Sequence, residues 1–139
     1  MSFRNEQGLT ILELLIVIAI IGLIGTIATI QLTGSYTRAK IDTARLQIKQ
    51  IDLAIELYKF DVGNIPEEKE SLKALIVQPQ SVEGWRGPYL NSNEAIMDPW
   101  GHQYLYKKNA NHIKGYDVFS LGRDNLLGGD GEDADILSK

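Results

Sequence analysis

Residues 8–32, "GLTILELLIVIAIIGLIGTIATIQL", decide what kind of fold this chain can have. An apolar run of about 18–20 residues spans a bilayer as a helix, and beyond Glu13 this run carries no charge. An acid at the centre of such a helix costs about 2.5–3.5 kcal/mol, and less near an end. Glu13 therefore either reaches water at the interface or meets a positive partner that only processing or assembly supplies. The preceding "MSFRNEQG" is short and polar, with Arg4 and Glu6 cancelling. A secretory signal would instead carry a basic start, an apolar stretch of about 7–15 residues and a small-residue cut after it. Here the small residue suited to a cut is Gly8, ahead of the run. Cleavage there leaves the apolar segment on the mature protein.

Outside this stretch, 139 residues leave room for at most one small domain. Residues 1–60 hold six Lys/Arg against five Asp/Glu, and residues 61–139 hold eight against thirteen. The second part is acidic, which argues against nucleic acid or anionic lipid as its partner. There is no cysteine, so disulfides and thiol chemistry are excluded.

The segment "SYTRAKIDTARLQIKQIDLAIELYKFDVG", residues 35–63, continues without proline. Ile41, Ala44, Ile48, Ile51, Ile55 and Tyr58 recur in steps of three and four and predict one helical face, which Leu46, Leu53, Leu57 and Phe60 are read as widening. Such a stripe packs either on this chain's own C-terminal part or on neighbouring copies. Gly63 and Pro66 supply a stop. "PEEKESLKALIVQP", residues 66–79, predicts a short second helix, and "HQYLYKK" and "YDVFSLG" an antiparallel pair of strands. The fold class is α+β: a long N-terminal helix, membrane-spanning then amphipathic, on a small head. Its expected core is Leu72, Leu75, Ile76, Trp85, Tyr89, Leu90, Trp100, Tyr104, Tyr106, Tyr116, Val118 and Phe119. By composition alone the closing "RDNLLGGDGEDADILSK" reads as a flexible acidic loop. His102 and His112 lack metal-ligand spacing, Ser120 lacks a histidine in a nucleophile pattern, and Asp98 before Pro99 shapes a turn. No enzyme activity is expected.

"QGLTILEL", residues 7–14, resembles the type IV prepilin signature, in which a peptidase cuts after glycine and methylates the new amine. The resemblance implies a leader over 1–8, cleavage between Gly8 and Leu9, and N-methylation of Leu9. It also implies a subunit-assembly role for Glu13, paired with the Leu9 amine of another copy. Each charge then relieves the other's desolvation, and their match sets the axial register. "RGPYL", "DPWGHQYLY" and "YDVFSLGRDNLLGGDGEDADI" follow in order and resemble the major pseudopilins of type II secretion systems.

That family implies a fibre subunit driving protein export across the outer membrane. A type IV or competence pilin is the alternative, with a membrane-anchored binding module behind it. The implied organisation is a leader over 1–8, a transmembrane and assembly helix over 9–32, an amphipathic stalk over 33–62 and a periplasmic head over 63–139. The implied place is the bacterial inner membrane, crossed once, then a periplasmic fibre. Implied partners are further copies in a helical homo-oligomer, minor pseudopilins, an inner-membrane assembly platform, prepilin peptidase and the membrane. The family also implies a calcium ion (Ca2+) in the closing loop, held by Asp124, Asp133, Asp135 and the Leu121 carbonyl. Such a hard cation wants six to eight oxygens. Asp130 and Glu132 are left as further ligands or solvated acids, and Asn125 stands where glycine is commoner.

Overall fold

The computed structural model describes residues 10–138, without the side chains of residues 27–33 and 35. The expected leader over 1–8, the expected cut between Gly8 and Leu9 and the expected methylation of Leu9 lie outside those residues. The chain forms two compact units, one ending at Tyr36 and one beginning at Thr37. A single helix, α1, runs Ile11–Val62. Thr10 precedes it and accepts the Glu13 N–H on its hydroxyl at 3.2 Å, which satisfies one of the donors a helix start leaves open. The helix ends where the Gly63 N–H bonds the Lys59 carbonyl at 2.8 Å. Among the described residues no helix is long and apolar enough to cross a membrane. The expected span over 9–32 includes Leu9 and side chains outside the description.

In the second unit, α1 carries a buried stripe of Ala44, Ile48, Ile51, Ala54, Ile55 and Tyr58. The head covers it, which resolves the two alternatives left by the sequence in favour of the chain's own C-terminal part. A fully buried isoleucine of this kind contributes about 1.5–3 kcal/mol. Leu46, Leu53, Leu57 and Phe60 do not widen that stripe. They are exposed, Leu53 at 67% and Phe60 at 84%. From Ile51 to Leu53 the helix turns about 200°, so these four form a second apolar stripe opposite the first.

The head is a three-stranded antiparallel sheet with short 3-10 turns. Strands β1 (Leu105–Lys108), β2 (Tyr116–Ser120) and β3 (Ile136–Leu137) lie in the order β1-β2-β3. Tyr106 pairs across from Val118, and Ser120 from Ile136. Alternation sends Tyr116, Val118 and Ser120 of β2 inward. Phe119, expected in the core, faces the other way and is half-buried, with Lys107 Nζ 6.0 Å from its ring centroid. The inward tyrosines need partners for their hydroxyls. Tyr104 donates to Gln47 Oε1 at 2.8 Å, and Tyr106 to the Pro66 carbonyl at 2.8 Å.

Two further expectations are corrected. Residues 66–79 form only a 3-10 turn, Ser71–Leu75, because Ser71 adopts a left-handed φ of +52° and breaks the helical run. The closing segment is not a flexible loop throughout: its end is the third strand, and Ser138 donates its N–H to the Val118 carbonyl at 2.9 Å.

Candidate functional site

The turn at residues 98–102 and the end of β2 are stitched together by one buried carboxylate. Asp98 Oδ1 accepts the N–H groups of Trp100 and His102 at 3.0 and 2.8 Å, which fixes the turn as its position before Pro99 predicts. Asp98 Oδ2 accepts the Ser120 hydroxyl at 2.6 Å, and Ser120 Oγ in turn accepts the Gly122 N–H at 3.0 Å. His102 Nδ1 lies 3.2 Å from the Gly122 carbonyl. Ser120, Asp98 and His102 thus meet without making a nucleophile. The serine proton points at a carboxylate, and the imidazole faces a carbonyl rather than the hydroxyl. The latch holds the start of the closing loop. Sequence reasoning missed it because its two halves are 22 residues apart in the chain.

From Leu121 onward the loop folds back on itself. The Arg123 N–H bonds the Glu132 carbonyl at 2.8 Å. The Arg123 guanidinium grips Asp133 with two bonds, Nε to Oδ1 and Nη2 to Oδ2, both 2.9 Å, and reaches Glu132 Oε2 from Nη1 at 3.1 Å. These bonds raise the Arg123 pKa above its ordinary value, the hydrogen bonds to Asp133 first and its charge second. Asp124 Oδ1 accepts the Leu126 N–H at 3.0 Å, and Asp135 Oδ2 the Gly128 N–H at 3.1 Å. Close approach demands glycine at two places. A Cβ on Gly122, at φ +72°, would lie 2.6 Å from the Glu132 carbonyl oxygen, and one on Gly129 would run into the backbone of Asp133. Asn125 sits at φ +55°, a left-handed conformation that asparagine tolerates.

Of the expected metal ligands, Asp133 is therefore held by an arginine, and Asp124 and Asp135 each accept a backbone N–H. Asp135 Oδ1 is buried without a partner. Among the described residues no three acidic or histidine side chains are grouped so as to hold a metal ion. As it stands, the loop is closed by the Arg123 guanidinium on Asp133 and Glu132.

At the other end of the chain Glu13 is exposed in the first turn of α1, where a negative charge suits the helix dipole. The signal Thr10-x-x-Glu13, typical of a helix start, was present in the sequence and is a local reason for an acid there. Large apolar side chains from Ile11 to Ile24 are exposed.

The model of the family described as type II secretion system (T2SS), protein G, matches residues 31–139. The chain belongs to that family. A prokaryotic N-terminal methylation motif matches residues 3–29. Relatives of this protein G family member include type II secretion system core protein G of Xanthomonas campestris, 35% identical, with 97% of this chain and 91% of the relative covered. The core protein G of Pseudomonas aeruginosa is 33% identical, with 98% and 96% covered. That of Vibrio cholerae is 34% identical, with 97% and 92% covered. The fold is similar to the crystal structure of the major pseudopilin from the type 2 secretion system of enterohaemorrhagic Escherichia coli, with TM-score 0.61, 22% identity and coverage of 77% of this chain and 92% of that one.

Proposed function

We propose that this chain is a structural subunit that polymerises into a periplasmic pseudopilus, the fibre whose growth moves proteins across the outer membrane in type II secretion. The observation that carries this reading is the second apolar stripe of α1. Leu46, Leu53, Leu57 and Phe60 stand opposite a stripe already covered by the head, so a second copy is the natural cover for them. The methylation motif over residues 3–29 adds support.

In this reading residues 9–32 hold the subunit in the inner membrane with the head periplasmic. Prepilin peptidase removes residues 1–8 and the Leu9 amine is methylated. Glu13 then meets that amine on a neighbouring subunit and penalises any subunit out of register. Minor pseudopilins and an inner-membrane assembly platform complete the partner set. Calcium belongs to the same proposal, with the Leu121 carbonyl, Asp124, Asp133 and Asp135 as its ligands. The unpartnered Asp135 Oδ1 supports it, and the guanidinium on Asp133 opposes it in the present arrangement.

The test is assembly in a secreting host. The intact mass of the membrane-purified protein should lack "MSFRNEQG" and carry one added methyl group. Leu53→Gln with Leu57→Gln should leave the head folded and yield no fibres by electron microscopy, and Glu13→Lys should insert normally yet fail to polymerise. An uncut N-terminus, or fibres of ordinary length from these variants, would overturn the reading.

A further inference from the structure

We infer that Arg123 is the resident cation of the closing loop, so that the loop docks on the head without a metal ion and a divalent cation gains Asp133 only by displacing the guanidinium. Between residues 121 and 136 the sole base is Arg123, against Asp124, Asp130, Glu132, Asp133 and Asp135. Its fork uses three donors on two of those acids, engaging both oxygens of Asp133 at 2.9 Å. A planar guanidinium matches a carboxylate in this two-bond manner and a lysine does not.

The grip is pre-set by the backbone. The Arg123 N–H is tied to the Glu132 carbonyl, and Gly122 beside it is held by Ser120, itself bonded to buried Asp98. Arg123 is thus anchored on one side by the sheet and closes on residues 132–133 on the other. Just beyond them the chain enters β3 at Ile136, so the clamp also delivers the third strand to the edge of β2. Both oxygens of Asp133 being occupied, an incoming cation finds them only in the fraction of molecules where the guanidinium has let go. Apparent affinity falls by that fraction.

The displacement half of this inference rests on the calcium reading, while the clamp half does not, and two measurements on full-length protein in detergent micelles separate them. Amide hydrogen–deuterium exchange over residues 121–137 in EDTA tests the clamp. Arg123→Gln should speed exchange there by about tenfold or more and leave α1 unchanged, with Arg123→Lys in between. Calorimetric titration with calcium chloride tests displacement. Arg123→Gln should bind calcium about tenfold more tightly than the unaltered protein, whereas Asp133→Asn should loosen the loop in EDTA with no gain in affinity.

Unchanged exchange in Arg123→Gln overturns the clamp. Equal or weaker calcium binding by that variant overturns the displacement. If no form binds calcium, the calcium reading fails with the displacement half, and the exchange result still decides the clamp.

Discussion

Asp98 shows how much one side chain can hold. Replacing it by alanine strands the Ser120 hydroxyl and the N–H groups of Trp100 and His102, a loss of about 2–4 kcal/mol. Asp98→Ala should therefore lower the thermal midpoint by at least about 8 °C, while Asp98→Asn, which keeps one accepting oxygen, should lose less. Calorimetric melting of both variants decides this, and a midpoint equal to that of the unaltered protein would dismiss the latch. Its turn-forming half was legible in Asp98-Pro99. Its partner was not, since only the strand register brings Ser120 to it. Arg123 was hidden for another reason: a charge run in sequence reads as a solvated face, and only the fold-back at residues 128–133 turns it into paired ions.

The stalk helix carries two opposed contracts on one element. Its inner stripe was legible from periodicity, because steps of three and four must return to the same side of a 3.6-residue turn. The outer stripe has equally good periodicity, and listing its residues as a widening of the first ignored their phase. The separation makes the two faces separable by mutation. Ile51→Ala, at a site with no exposure, should destabilise the head by about 2–5 kcal/mol. Leu53→Gln, two residues on, should change stability by less than about 0.5 kcal/mol. Urea unfolding of both proteins measures the contrast, and comparable losses would mean that the outer stripe supports the fold after all. The short second helix was misjudged at this scale too: nothing local in residues 66–79 signalled that Ser71 would take a left-handed conformation.

Across the whole molecule, tyrosine does work that disulfides do in many small exported domains. Burial pushes the hydroxyls of Tyr104, Tyr106 and Tyr116 well above the ordinary tyrosine pKa, with nearby acids such as Asp98, Glu67 and Asp52 adding to the effect. The unfolded chain releases these protons near pH ~10 and the folded chain only at higher pH. Their contribution to stability is therefore fully present below pH ~10 and is lost as pH rises beyond it, each group by up to about 1.4 kcal/mol per pH unit. Thermal melts from pH 8 to pH 11.5 should show a midpoint insensitive to these tyrosines at first and then falling, with tyrosinate absorbance appearing together with unfolding. Titration of all six tyrosines near pH 10 with the fold intact would contradict their burial.

The third strand has a consequence of its own. Among the described residues, only Ile136 and Leu137 close the outer side of β2, aided by Ser138. Trimming of these few residues by a protease would bare a row of unpaired amides and carbonyls, the kind of border along which foreign strands stack. Ile136 and Leu137 thus guard that border against the wrong sort of polymer, in a molecule shaped to form the right one.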